Sequence, residues 1–499
     1  MKRTAPVARQ GENRLCGWKV PIIFVPGIMG SRIDIPRVSD KWDPDSKKNM
    51  LGWKFTSATN KRRLLNFDNP GVIFTNPSDD FSVRHEERVA RGWGGVRWAT
   101  YGAFLEFLEE EKFGNHRTPL YAYGYDWRQP IPWLGCQLAA DLTGEKVNIG
   151  GIKAAPSGRF GYKGILAGED TDKCVIITHS MGGLVTRAAL KACSALRQKT
   201  IGVLHGVQPA TGAPTMYRRL ITGMFAPYDG GSDIESKVLR SILGVTGDEV
   251  GTLASVVPGA IQLLPSNLYR DGCRANKVHH LSWTVFEENR ATPHFTRDDV
   301  IETYARHHQD HPPGVVRSTL AVPIQYDLSQ RIKGLKFFHD FLADWKLAGK
   351  TWAFYGKGLG TDSTVHFDLP PCKIVKTGHV LSSDEYHAVN PAGQRVELDY
   401  EADILRNGYN PTAPHDPGGT LSGYGNHGDG TVAEISGSAL FSHAETALMS
   451  DYTAETYPLE KMRQFGLDGL EHEPAFRDGQ VQQFTAAWVK HVIRQLKRD

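Results

Sequence analysis

The sequence predicts an α/β fold, in which a mostly parallel central sheet is flanked by helices and carries a large cap or lid insertion. Three observations predict it. Val20 to Val25 (VPIIFV) is continuously apolar and stops at Pro26-Gly27, as a strand buried on both faces of a parallel sheet does. Cys174 to Val185 (CVIITHSMGGLV) joins such a run to a small-residue segment with helical apolar spacing, which reads as strand, sharp turn and helix. The chain closes on Phe484, Trp488, Val492 and Leu496, whose four-residue repeat marks an amphipathic helix.

Between these anchors the elements follow in order. The loop Gly27-Ile28-Met29-Gly30-Ser31 ends the first strand, and its glycines allow the backbone to approach a ligand closely. Residues 32–95 lack sustained periodicity and read as an irregular, lid-like insertion, with Trp42, Trp53 and Trp93 packing it down or touching lipid. Tyr101, Phe104, Leu105 and Leu108 fall on one helical face that ends by Gly114. A strand from Leu120 to Tyr125 follows and closes on Asp126-Trp127-Arg128, whose acid and base share one face and predict a structural ion pair. Trp133, Leu134, Leu138 and Leu142 mark the next helix, and Leu184, Val185, Ala188, Ala189 and Ala192 the inward face of the helix after Ser180.

Ile201 to Val207 reads as the next strand, followed by a cap insertion at 215–345 with helical pieces at Ser236 to Leu243 and Leu335 to Leu347. The cap's His279, His280, His307, His308 and His311 match no zinc spacing and have no cysteine pair beside them, so neither metal nor cofactor is expected. Thr351 to Gly356 restores a strand pattern, and 363–425 reads as a hairpin and loop excursion. The 499 residues then form one domain, 1–499, with these insertions.

Composition narrows the class. Fifty-eight basic residues against 55 acidic ones leave a net charge of +3, which gives no field for nucleic acid. The six cysteines, Cys16, Cys136, Cys174, Cys193, Cys273 and Cys372, form no C-x-x-C pair and are expected to be buried thiols. Lys2 and Arg3 precede no apolar stretch, and no run reaches the roughly 18 apolar residues of a membrane span. The expected location is cytoplasmic, or outside by a leaderless export route.

The chemistry gathers at Ser180. A serine at a strand–turn–helix junction is pushed above the sheet edge, and the pattern here is T-x-S-x-G, with Thr178 where G-x-S-x-G has its first glycine. The hydroxyl needs a histidine to take its proton, and the histidine needs a carboxylate to fix its tautomer. Asp429, between Gly428 and Gly430, and His472, in the loop before the last helix, complete the order Ser, Asp, His expected of an α/β-hydrolase. Two backbone amides must meet the oxyanion, and Met181 and Ile28 are the candidates, with the Met181 side chain filling the pocket floor. Asp362 is the rival acid; His427 and His443 are rival bases, the first too close to Asp429 to come from a separate loop, the second in a more helical context.

VPGIMGS at 25–31, YDWR at 125–128, HSMGG at 179–183, YGKGLGT at 355–361 and GDGTV at 428–432 together resemble the lecithin:cholesterol acyltransferase family, with its phospholipid:diacylglycerol acyltransferases and lysosomal phospholipases. The resemblance covers the core segments and not the insertions. It implies a serine-dependent lipid acyl hydrolase or acyltransferase, with Ser180 as nucleophile, Asp429 as orienting acid, His472 as base, and Ile28 and Met181 as oxyanion donors. The implied partners are a lipid or lipid-like ester and a membrane surface, while protein partners stay open. Residues 32–95 lack the cysteine pair of the animal enzymes, so lid behaviour and acyl acceptor do not carry over. The alternatives are a small-ester or polyester carboxylesterase, a non-catalytic hydrolase-like binding protein, and a leaderless bacterial lipase effector.

Overall fold

The computed structural model describes residues 19–76, 86–167, 173–216, 240–266, 337–361, 373–380, 383–389, 428–451 and 458–496, with single positions between them. Its centre is a seven-stranded sheet made of β1 (Ile22–Val25), β5 (Leu120–Ala122), β8 (Cys174–His179), β9 (Thr200–Gly206), β10 (Thr351–Lys357), β13 (Thr446–Leu448) and β14 (Gln464–Asp468). The strand order is β13-β14-β10-β9-β8-β1-β5, and every neighbouring pair is parallel. All seven strands therefore bring their C-terminal ends to one edge.

The inner strands are mostly apolar because both faces are covered. In β1, Ile23 and Val25 join one core cluster while Ile22 and Phe24 join the other. In β8, Cys174 and Ile176 point to the first cluster, Val175 and Ile177 to the second. The first cluster is closed by α5 (Ile131–Thr143) and α6 (Met181–Ala192), the second by α4 (Trp98–Glu110) and the last helix, α9 (Gly479–Arg494). Among the described cysteines, Cys136, Cys174 and Cys193 are free and buried; Cys16, Cys273 and Cys372 lie outside the described residues.

Residues 32–95 contain more regular structure than their lack of periodicity suggests. The strands β2 (Ile33–Ile35), β3 (Asp40–Trp42) and β4 (Val72–Ile73) form an antiparallel sheet. The helices α1 (Lys47–Phe55) and α2 (Ala58–Leu65) start on Ser46 and Ser57, whose hydroxyls accept the amides of Asn49 and Asn60. A short helix, α3 (Glu86–Ala90), follows. The strands are only two or three residues long, too short for an alternation to register. The tryptophans pack inward: Trp42 lies edge-on to Trp53 and Trp127, at 5.5 and 5.3 Å.

The Asp126–Arg128 pair explains how this segment is held over the C-terminal edge. Arg128 is fully buried, and its Nε and Nη2 each lie 2.7 Å from the Asp126 carboxylate. Its guanidinium also donates to the carbonyls of Leu64 and Asn69, at 3.5 and 2.8 Å, binding the end of α2 to the loop after β5. The pair is structural, as its spacing predicts.

Smaller differences concern boundaries. The strand expected to run to Tyr125 ends at Ala122, and α4 stops at Glu110 with Glu111 extended, so Gly114 turns the chain four residues later. Further described elements include a hairpin of β6 (Val147–Ile149) and β7 (Ile152–Ala154), the helices α7 (Ser194–Lys199) and α8 (Gly247–Ala254), and an antiparallel hairpin of β11 (Lys373–Val380) and β12 (Ser383–Val389), which falls in the predicted excursion. Most of 215–345 lies outside the described residues, and so do His279, His280, His307, His308 and His311. Among the described residues, no helix is long and apolar enough to cross a membrane.

Candidate active site

Ser180 stands alone between β8 and α6 at φ 51° and ψ −126°, a backbone conformation that an L-residue adopts only under constraint. The constraints are visible. The Ser180 amide donates to the Gly206 carbonyl of β9 at 2.9 Å, and the Ser180 carbonyl accepts from Gly183, also at 2.9 Å. A Cβ at Gly182 would run into the carbonyls of Val25 and Pro26, and one at Gly183 would meet the Gln208 side chain at 2.7 Å. Small residues after the serine let α6 close onto the ends of β1 and β9, which turns the serine outward. A parallel sheet with a strained serine at a strand–helix elbow decides the fold class. The fold is that of the α/β-hydrolases.

Two further loops reach the serine. His472 Nε2 lies 2.8 Å from Ser180 Oγ, and His472 Nδ1 lies 2.8 Å from Asp429 Oδ2. A carboxylate only accepts, so Nδ1 carries the ring hydrogen and Nε2 is left to accept from the serine hydroxyl. The other Asp429 oxygen, Oδ1, accepts the amides of Thr431 and Val432, at 3.0 and 2.6 Å. The His472 amide donates to the Asp429 carbonyl at 2.9 Å, which ties the two loops by their backbones. The Asp429 side chain is 1% exposed and that of His472 12% exposed, so the carboxylate is sealed while the imidazole has an open flank.

The predicted oxyanion donors flank the same serine. Met181 is the first residue of α6, where an amide has no partner within the helix. Its side chain is fully buried in the first core cluster, which corrects the expectation that it fills a pocket floor. Ile28 lies in a tight turn closed by the Gly30 amide on the Gly27 carbonyl at 3.1 Å. A Cβ at Gly27 would lie 3.0 Å from Ser180 Cβ and 2.9 Å from His179 Nδ1. The glycine therefore admits the loop against the serine itself, where the sequence suggested close approach to a ligand.

Of the rivals, His443 is an exposed residue in a short 3₁₀ turn, and His427 and Asp362 lie outside the described residues. Among the described residues, no group of three or more His, Cys, Asp or Glu could hold a metal.

Four residues whose contacts motif reading missed, Thr178, His205, Tyr101 and His179, stand beneath the serine. Thr178 Oγ1 and His205 Nδ1 are 2.9 Å apart, both fully buried, so the residue in place of the elbow's first glycine bonds across to β9. Burial, reinforced by Arg187, pushes the His205 pKa down to about 3 and keeps the ring neutral. Tyr101 and His179 are joined through the Tyr101 hydroxyl and His179 Nδ1 at 2.8 Å, and His179 Nε2 lies 2.9 Å from the His472 carbonyl. A hydroxyl and an imidazole on apolar strand and helix faces carry no sequence signal of their own.

Comparison with known proteins is consistent with this fold. No protein-family model matches the chain, and no curated protein sequence matches it. Among solved structures it is similar to a chain of the Tle4–Tli4 complex, with 17% identity, a TM-score of 0.57, and coverage of 97% of this chain and 100% of that one. It also matches lipase 1 from Pelosinus fermentans at 12% identity and TM-score 0.30, covering 96% of this chain and 99% of that one. Staphylococcus hyicus lipase matches at 11% identity and TM-score 0.33, with 95% of each chain covered. At these identities the first likeness is one of fold.

Proposed function

We propose that the chain is a serine-dependent lipid acyl hydrolase or acyltransferase that works through an acyl-enzyme. The observation that carries this reading is the unbroken line Asp429–His472–Ser180, with 2.8 Å at each step and the serine held at a strained elbow. In the proposed cycle the Ser180 hydroxyl attacks the ester carbonyl as His472 Nε2 takes its proton. Asp429 stabilises the imidazolium, and the amides of Ile28 and Met181 meet the oxyanion. His472 then returns the proton to the departing alcohol. Water, or another alcohol, repeats the sequence in reverse and releases the acyl group.

A lipid substrate is supported by the five ordered motifs that resemble those of the acyltransferase family, and the insertions at 32–95 and 215–345 are proposed as the cover over long acyl chains. The test is to incubate the protein with mixed-chain phospholipids, with and without a lipid alcohol, and to identify products by mass. Fatty acid release that falls about a million-fold in Ser180→Ala supports the reading. Equal release by that variant refutes it, and loss of activity in His443→Ala but not His472→Ala would reassign the base.

A second reading, a lipase effector bound by a protein partner, is favoured by the fold shared with a chain of the Tle4–Tli4 complex. Growth arrest when the protein is directed to a periplasm, abolished by Ser180→Ala, supports it. Harmless expression there refutes it.

A further inference from the structure

Gly27, Tyr101, His179 and His472 form one line of hydrogen bonds beneath Ser180 that none of the proposed chemical steps uses. Its directions follow from the atoms. The His472 carbonyl can only accept, so the His179 Nε2 lying 2.9 Å from it carries the ring hydrogen. Burial, with His472 beside it, lowers the His179 pKa to about 3, so the ring is neutral and Nδ1 is an acceptor. The Tyr101 hydroxyl, 2.8 Å away, therefore donates to Nδ1, and its oxygen in turn accepts the Gly27 amide at 3.1 Å. One end of the line is the backbone of the loop that bears Ile28. The other end is the backbone of His472.

We infer that Tyr101 and His179 are positioning residues that hold the Ile28 loop and His472 in register across Ser180. This role rests on the hydrolase reading proposed above. Independent contacts point the same way. A Cβ at Gly30 would lie 2.7 Å from the Tyr101 hydroxyl, so both glycines of the loop are needed to seat it on this line. The rings are fixed by their neighbours: Phe24 lies edge-on to Tyr101 at 4.9 Å, and Phe476 edge-on to His179 at 5.8 Å. At the start of α4, the Arg97 amide donates to the Gly30 carbonyl at 2.9 Å, while its guanidinium pairs with Glu473, the neighbour of His472. The start of one helix thus grips the Ile28 loop at two points and the loop of His472 at one directly and at a second through His179.

Neither side chain hydrogen-bonds to Ser180 Oγ or to the His472 ring nitrogens, and the His179 ring lies beside that of His472 with centroids 5.3 Å apart, so its loss acts through geometry. A displacement near 1 Å at a reacting centre costs on the order of 100-fold in rate. The experiment uses Tyr101→Phe, His179→Leu, the double variant and His179→Gln, whose amide can still donate to the His472 carbonyl. The readouts are turnover of a p-nitrophenyl ester and the rate at which a fluorophosphonate labels Ser180, with thermal melting to report folding. The expected result is a fall of about 10–100-fold in kcat for each single variant at unchanged KM, with the double variant no slower than the worse single. His179→Gln should recover part of the loss.

Single effects that multiply in the double variant would show two separate roles and overturn the inference. Unchanged labelling in Tyr101→Phe, or a raised KM at constant kcat, overturns it too. If His179→Leu does not fold, the volume-conserving Tyr101→Phe and His179→Gln decide by the same criteria. A wild-type protein that the reagent fails to label refutes the hydrolase reading itself; a labelled wild type beside an equally labelled Tyr101→Phe refutes the positioning role alone.

Discussion

Asp429→Asn is the most discriminating substitution at this site, because the structure dictates which way round the new amide must sit. Asp429 Oδ1 accepts two backbone amides, Thr431 at 3.0 Å and Val432 at 2.6 Å. An NH2 group there would set donor against donor twice, so the asparagine oxygen must take that position and its nitrogen must face His472. His472 Nδ1, 2.8 Å away, then has to accept, and the ring hydrogen moves to Nε2. That nitrogen now offers a hydrogen to Ser180 Oγ when it should be receiving one. The fold is untouched, since volume and every backbone contact are kept, but the base is in the wrong tautomer. A loss of about ten-thousand-fold in kcat is expected, the size that a tautomer inversion costs in serine hydrolases. The assay is turnover of a soluble ester together with fluorophosphonate labelling, alongside a melting curve close to wild type. An Asp429→Asn protein that retains about a tenth of its activity would refute the proposed roles of both Asp429 and His472.

Thr178→Val keeps the shape of the residue and leaves His205 Nδ1 without its partner in a fully buried site, so a loss of about 1–3 kcal/mol is expected from urea unfolding. Thr178→Gly should be worse by roughly 1 kcal/mol more through added chain freedom; a neutral or stabilising glycine would refute the bond's importance. Asp126→Ala strips the buried Arg128 of its carboxylate and should cost about 3–5 kcal/mol while leaving activity within a few-fold; a large activity loss at full stability would refute the structural assignment. Stability should also fall on mild acidification. Burial lowers the pKa of His179 and of His205 to about 3 and that of His339 to about 4, so the unfolded chain takes up protons below its ordinary pKa of about 6.5 while the folded chain does not. Each ring adds a slope of about 1.4 kcal/mol per pH unit between about 6.5 and 4, stability dropping as pH drops, and His205→Asn should remove one such share. An identical slope in that variant would refute the neutral assignment.

The core was legible because its signals are local. Val20 to Val25 and Cys174 to Ile177 are apolar at successive positions, which only a strand covered on both faces requires, and the clusters on either side of β1 and β8 are that cover. Ser180, Asp429 and His472 were legible for a different reason: each stands in a loop between recognisable elements, and the hydrolase order is directional. Residues 32–95 were not, since two- and three-residue strands carry no period and their stability comes from contacts such as Arg32 Nε on Asp43 at 2.8 Å. In the sequence, Tyr101 is one apolar position on a helix face and His179 one letter of a motif. Their function depends on a contact between positions 78 apart in the chain, which no local pattern encodes.

Three inter-strand steps separate β14 from β8, because β10 and β9 lie between them. At about 4.8 Å per step, the loop after β14 has to cross roughly 14 Å to reach the serine. Only three residues lie between Asp468 at the strand end and His472, and the four Cα-to-Cα steps span at most about 14 Å when extended. The chain therefore has reach enough for the imidazole but little slack to wander. What a taut tether leaves undetermined is rotation of the peptide about its own axis, which would swing the ring off Ser180. Two hydrogen bonds stop that rotation from opposite sides: the His472 amide on the Asp429 carbonyl and the His472 carbonyl on His179, both at 2.9 Å. Substitutions at His179 should for this reason affect the orientation of the base and not its reach, and lengthening the loop by one glycine after Asp468 should be tolerated better in the wild type than in His179→Leu.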